Sequence, residues 1–413
     1  MRDTLVIGAG LAGLMGTLAL AEAGLRPLLL AKGNGATHWA GGTIDLWGAG
    51  DDPLAGIVAK IAQQPHHPYA RVGESGIRAA ADRLLALTRA ARYPYVGTVS
   101  RNVLLPSALG AVRPAALFPA TMAAGDMRAG GELLIAGFHE LRDFFPPLAA
   151  ANLRAQGIDA RGVYLDVPTA FRRRDYSTRT FAELFDRPAF RAAIGAQLRT
   201  QRGTATRIGM PAVLGLYDPL AVVADLQTAA GALVFEIPTL PPSVPGIRLV
   251  RIFERAIVAA GGRVQIGSEV VRAEHDTTRI TAAYTEAAAR EQRHAGARWL
   301  LATGGVVGGG INSDHTGAFW ETAFNLPLAG PDTRDGWFAA RALASSGHPI
   351  FTAGVATNDA LVPLDGLGRV AYTNVRVAGG ALAGADTIRE GSRTGVSLAT
   401  GWAAGLRLAA LED

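Results

Sequence analysis

Apolar residues run unbroken through Leu5-Val6-Ile7 and again through Leu28-Leu29-Leu30. Neither run alternates with polar positions, which predicts strands buried on both faces. Residues 11–23 between them are rich in alanine and leucine and predict a helix that Gly24 ends. Residues 34–130 carry much Gly and Pro and give a clear signal only for a helix over about 75–91. A second strand–helix pattern opens at Leu133-Leu134-Ile135 and includes GVYLDV at 162–167. Asp218-Pro219 predicts a helix start, because aspartate caps and proline suits the first turn. The four prolines of FEIPTLPPSVPGIRL (235–249) predict an irregular segment leading to a helix that ends near Gly261-Gly262. Residues 263–303 alternate as strands do, and 374–411 read as strand, glycine-rich turn and a helix from about Arg393.

Strands that alternate with helices predict an α/β fold. The two ends read as halves of one Rossmann-like, nucleotide-binding domain, 1–130 and 255–413. An inserted α+β cap or substrate region, 131–254, separates them. No repeat or low-complexity segment interrupts the pattern. The most apolar stretch, residues 5–31, contains Glu22, Arg26 and five glycines, and so does not predict a membrane span. No charged leader with a cleavage site is visible, so the expected location is cytoplasmic.

Composition narrows the chemistry. The chain has 413 residues and no cysteine, which excludes disulfides, thiolate metal sites and cysteine-held iron–sulfur clusters on this chain. An electron carrier here must be organic. The net charge of +5 comes from a basic set in which only Lys32 and Lys60 are lysine. The cluster Arg172-Arg173-Arg174 lacks interleaved aromatics and a nucleic-acid module, so it reads as a solvated loop or a contact for an anionic partner. The histidines show no metal-ligand spacing. His66-His67, in a Pro-flanked loop, is expected to be solvated.

TLVIGAGLAGL, residues 4–14, is a strand running into Gly8-Ala9-Gly10-Leu11-Ala12-Gly13 and then a helix. That order brings backbone N–H groups and the positive end of a helix dipole to a phosphate. An acid that ends the second strand usually holds the ribose; here Ala31 stands there, followed by Lys32, which is kept as a candidate contact. ATHWAGGTIDL (36–46) offers Gly41, Gly42 and Thr43 as backbone able to pass against a flat ring. His38 beside them reads as a flavin neighbour, a proton-transfer group or a plain loop histidine. RWLLATGG (298–305) ends a strand at Thr303 and Gly304. The stretch 374–405 carries Gly379 and Gly380 after a strand, then Gly391, Gly395 and Val396 at a helix start. A helix N-terminus there suits the negative charge that develops on a reduced flavin. The acid often found at the Gly380 position is missing too.

In this order the motifs resemble the succinate dehydrogenase/fumarate reductase flavoprotein superfamily. THWAGGTIDL, MPAVLGL (210–216), FEIPTLPPSVPGIRL and GGALAGADTIREGSRTGVSLATG are similar to the B subunit of anaerobic glycerol-3-phosphate dehydrogenase, over residues 1 to about 405. The resemblance implies an FMN protein, with FAD as the alternative, in a quinone-linked enzyme oxidising sn-glycerol 3-phosphate to dihydroxyacetone phosphate. It implies an FAD-containing A subunit and an iron–sulfur C subunit as partners. It also implies a position at the inner face of the cell membrane held through a partner, with electron relay as this chain's other possible role. Oxidising a secondary alcohol needs a base at its hydroxyl and hydride delivery to flavin. His38 is the candidate base and Arg248 the candidate phosphate ligand, although Arg248 suits a structural carboxylate equally. The alternatives are a stand-alone flavin oxidoreductase of the fumarate-reductase type acting on another small anion, and a flavin-free scaffold.

Overall fold

The computed structural model describes residues 3–286 and 290–411. The chain forms two units, Met1–Thr37 with Asp45–Arg83 and Arg251–Asp413, and His38–Ile44 with Leu84–Val250.

A five-stranded sheet organises the first unit, in the order Arg263–Ile266, Leu28–Ala31, Thr4–Ile7, Arg298–Leu301, Val375–Val377. Every pairing is parallel, so each link must cross over the sheet. The first link is the helix Leu11–Glu22, nearly all of whose residues are buried. The helix Arg393–Ala409 packs on it backbone to backbone. A Cβ on Gly401 would lie 2.4 Å from the Ala12 carbonyl oxygen, and one on Gly405 2.6 Å from that of Gly16. The small residues of both helices allow that approach. A three-stranded antiparallel sheet, Val270–His275, Ile280–Thr285 and Gln292–Ala295, follows the edge strand Arg263–Ile266 in sequence. The Rossmann-like order predicted for the chain ends is therefore present.

The second unit is built on a four-stranded parallel sheet, Leu233–Ile237, Arg207–Pro211, Leu133–Phe138, Ala160–Leu165. In its core Phe138 stacks on Phe181, and Phe185 meets Phe138 and Phe190 edge-on. Two antiparallel ladders accompany it, Tyr95–Gly97 with Leu117–Pro119 and Val103–Pro106 with Val112–Ala115. The expected cap was α+β; the observed one centres on a parallel sheet with these ladders added.

Five expectations about the chain's course are corrected. Residues 84–130, assigned above to the nucleotide unit, belong to the inserted one. The turn Ala120–Gly125 packs there so closely that a Cβ on Gly125 would lie 2.7 Å from the Phe235 ring. Residues 38–44 join them, with the Ile44 N–H donating to the Leu117 carbonyl at 2.7 Å. The far boundary falls at Val250/Arg251 rather than at 254/255. The helix predicted over 75–91 spans Pro68–Ala90 and breaks at Gly73, whose φ is 71°. The helix Val244–Ala259 starts inside the proline-rich segment, with Pro245 in its first turn, where no N–H bond is lost. Asp218 does cap Pro219–Ala230, its carboxylate accepting from the Ala221 N–H. No helix among the described residues is long and apolar enough to cross a membrane.

Candidate functional site

In the first unit the phosphate turn is built by backbone proximity. Gly8 has φ 110°, and its N–H donates to the Leu30 carbonyl at 2.8 Å. A Cβ there would lie 2.2 Å from the Ala302 carbonyl oxygen, and one on Gly13 1.9 Å from that of Gly8. These two glycines lock strand, helix and neighbouring turn together. Gly10 differs: a Cβ on it would meet nothing within 4 Å. Gly10 is the N-cap of Leu11–Glu22, which has no side-chain cap and no acid in its first turn. The first N–H groups of a helix have no partner within it, so this end presents Leu11 and Ala12 backbone donors beside an open face.

The strand Arg298–Leu301 delivers Thr303 and Gly304 to the same place, since the Thr303 nitrogen lies 3.1 Å from where a Gly8 Cβ would sit. The Thr303 hydroxyl is buried without a hydrogen-bond partner among the described residues. Gly379 and Gly380 close the group. A Cβ on Gly379 would stand 2.7 Å from Ala12 Cβ, and one on Gly380 3.0 Å from the Gly305 nitrogen. The Gly379 N–H donates to Thr400 Oγ1 at 2.8 Å. A phosphate-bearing cofactor fits this cradle on three counts: the open face at Gly10, the uncapped helix end and the unpartnered Thr303 hydroxyl.

The C-terminal helix start differs from expectation. The Gly395 N–H donates to the Asp45 carbonyl at 3.0 Å, and that of Val396 to the Ser392 carbonyl at 2.8 Å. A Cβ on Gly395 would lie 2.3 Å from the Tyr69 hydroxyl, and one on Gly391 3.0 Å from Gly48 Cα. Gly391, Gly395 and Val396 thus fasten the helix to residues 45–48 and 69, and the N–H groups of the last two are not available as flavin donors. A side-chain cluster not foreseen from sequence reinforces this lead-in. His67, expected to be solvated, is 1% exposed. Its Nδ1 accepts from the Tyr69 N–H at 3.1 Å, which leaves Nε2 as the donor to Glu390, also at 3.1 Å. Glu390 accepts from Ser392 Oγ at 2.9 Å as well. Burial works against its charge, but His67, Ser392 and Lys60 together hold the carboxyl below its ordinary range. No local signal joins His67 to Glu390, which stand 323 positions apart in the chain. Lys32 is exposed and pairs with Glu269 at 2.7 Å; this hydrogen bond raises its pKa. The Ala31 side chain offers no acceptor, and its carbonyl already accepts from the Ser268 N–H at 2.9 Å.

His38, Gly41, Gly42, Thr43 and Arg248 belong to the inserted unit. Gly41 and Gly42 run tightly along the proline-rich loop: a Cβ on either would lie 2.8 Å from Pro238 or 2.7 Å from Pro245 respectively. Gly42 has φ 89°, and Thr43 follows half-buried. His38 is half-buried with its ring edge-on to Trp39. Arg248 is corrected as a phosphate ligand. It is 4% exposed; Nε donates to the Gly215 carbonyl at 2.9 Å, and Nη1 and Nη2 reach Glu236 at 2.8 and 3.0 Å. Nη1 also donates to the Tyr93 hydroxyl, at 3.1 Å. Glu236 further accepts from the Leu214 N–H and the Thr121 hydroxyl. Burial opposes the guanidinium's charge, yet Glu236 and Tyr93 hold it protonated, above its ordinary value. Burial pushes the Tyr93 hydroxyl up to about 12. Arg248 thus pairs with a structural carboxylate, the alternative its sequence reading left open.

The FAD binding domain family model matches residues 3–396. The probable B subunit of anaerobic glycerol-3-phosphate dehydrogenase from Halobacterium salinarum is 37% identical over 421 residues, covering 98% of this chain and 96% of that protein. The B subunit of the same enzyme from Pectobacterium atrosepticum is 31% identical, with 96% of each chain covered. The chain belongs to the family of anaerobic glycerol-3-phosphate dehydrogenase B subunits. It is a flavin-dependent oxidoreductase subunit carrying an FAD-binding-type domain. Among solved structures, the open conformation of a flavocytochrome c3 fumarate reductase is similar at TM-score 0.46 and 12% identity, over 99% of this chain and 78% of that one.

Proposed function

We propose that this chain is the flavin subunit of a quinone-linked enzyme that oxidises sn-glycerol 3-phosphate to dihydroxyacetone phosphate, or that relays the electrons of that oxidation. The observation that carries the reading is the cradle at Gly10 and Thr303, whose free donors suit a flavin phosphate, within a chain 37% identical to a B subunit over nearly its whole length. The bound flavin supplies hydride acceptance from carbon. This chain's residues do the rest. Gly10, Leu11, Ala12 and Thr303 hold the phosphate, Gly8 and Gly13 fix the turn, and Gly379 with Gly380 keeps side chains out of the cradle. Gly41, Gly42 and Thr43 are proposed as backbone contacts of the flavin ring, and His38 as the base that accepts the alcohol proton. Arg248 has no part in substrate binding.

FMN is the proposed flavin, because Ala31 cannot hold an adenosine ribose and Lys32 is engaged by Glu269. The family's description favours the second reading, FAD. Partners are an FAD-containing A subunit and an iron–sulfur C subunit, the latter holding the complex at the inner face of the cell membrane. The test is anaerobic addition of sn-glycerol 3-phosphate to the purified chain, alone and with its partners. Bleaching of the flavin absorbance by the chain alone marks it as the site of hydride transfer. Bleaching only in the complex marks a relay, and none in either overturns the reading. Chromatography of the heat-released flavin decides FMN against FAD.

A further inference from the structure

Three arginines of the flavin unit stand close together. Arg376 lies within the edge strand Val375–Val377, and Arg407 in the last turn of Arg393–Ala409. Arg71 lies near the start of the helix Pro68–Ala90. Arg407 Nη2 donates to the Arg71 carbonyl at 2.7 Å. Arg376 Nη1 donates to the carbonyls of Thr373 and Val375, at 3.0 and 2.9 Å. Arg71 pairs with Asp359 and lies 3.1 Å from His66 Nδ1. The Asp359 carboxylate is 90% exposed, so water weakens its hold.

The cluster is undersupplied with acceptors. Arg71 Nε, Arg376 Nε and Arg407 Nη1 are buried, and no described residue accepts from them. Arg376 as a whole is only 5% exposed. Burial lowers the pKa of Arg376 and Arg407, and the charge of Arg407 lowers that of Arg376 further. A protein that buries guanidinium N–H groups beside one another without acceptors loses hydrogen bonds and gains repulsion. A multivalent oxyanion removes both costs, because guanidinium forks match its oxygens.

We propose that Arg71, Arg376 and Arg407 form a binding site for a small oxyanion of the phosphate-monoester type. The fully charged phosphate suits three guanidinium groups better than a single carboxylate does, and Asp359 is the group it displaces from Arg71. The site is independent of flavin chemistry and stands or falls apart from the function proposed above.

The test uses the full chain saturated with flavin, so that phosphate cannot report on the Gly10 turn. Calorimetric titration is made with inorganic phosphate and with methyl phosphate, against chloride at equal ionic strength. The expected result is saturable binding of both phosphates, weakened about tenfold or more in R407Q. D359N, which removes the competing carboxylate, tightens binding severalfold while leaving the three arginines in place. Binding that is absent, or equal in the wild type and both variants, overturns the proposal. So does tighter binding of acetate, titrated in the same way, than of phosphate. Should R407Q fail to fold, the opposite sign required of D359N still decides.

Discussion

The glycine cradle of the first unit and the Arg248 network of the second handle polar groups in opposite ways. Around Arg248 the guanidinium nitrogens all have acceptors, and Glu236 accepts from both arms of the guanidinium fork, the Leu214 N–H and the Thr121 hydroxyl. Around Gly10 the helix end has no cap, and the Thr303 hydroxyl has no partner among the described residues. A network complete in itself stabilises a fold; donors left over are what a ligand needs. The completeness of its hydrogen bonding, more than the residue type, separates an arginine that binds substrate from one that braces a loop.

The largest effect is expected in the braced region. Arg248→Ala leaves Glu236 buried and uncompensated and should cost about 3–5 kcal/mol in urea unfolding. Replacing both partners by apolar residues should cost far less. Wild-type stability with weakened substrate binding in R248A would return Arg248 to the active site and erase the contrast. In the cradle, Gly8→Ala combines a positive φ with a backbone clash and should cost roughly 2–4 kcal/mol. Gly10→Ala, whose Cβ meets nothing, should change apoprotein stability by no more than about 0.5 kcal/mol. Equal melting temperatures for the two variants would contradict the distinction between them.

Glu390→Gln comes next, at about 1–3 kcal/mol for a buried carboxylate that accepts from His67 and Ser392. The folded pKa lies below the unfolded one, so Glu390 contributes stability above the ordinary carboxylate value of about 4.3, and the contribution fades as pH falls through the lower folded value. Acid unfolding should therefore be shallower in E390Q than in wild type, a slope that circular dichroism can follow. The smallest effect belongs to Tyr95→Phe. The Tyr95 hydroxyl is buried without a partner among the described residues, as are Thr239 Oγ1 and Arg191 Nε of the same unit. Its removal should be neutral or stabilising by less than about 1 kcal/mol. A clear destabilisation would mean that a water or ligand pairs with it.

The strands and helices nearest the turn were legible because their signals are local. A buried parallel strand is an unbroken apolar run, and the glycines at 8, 10 and 13 follow one in fixed spacing. Residues 84–130 were not, because their strands are only 3 or 4 residues long, and the unit they join is decided by tertiary packing such as that of Gly125 on Phe235. His67 was misread for a similar reason: its partner, Glu390, lies far along the chain. Gly395 shows the limit of motif reading at the site. The sequence placed it rightly at a helix start, but only the structure reveals that its N–H already serves Asp45.

The most direct test is flavin content in a matched pair, wild type and Gly10→Val, each purified and equilibrated with excess FMN or FAD. About one tightly held flavin per wild-type chain is expected, with binding in Gly10→Val weakened on the order of a hundredfold at unchanged apoprotein stability. A colourless wild type, or a valine variant that holds flavin as firmly, would contradict the account.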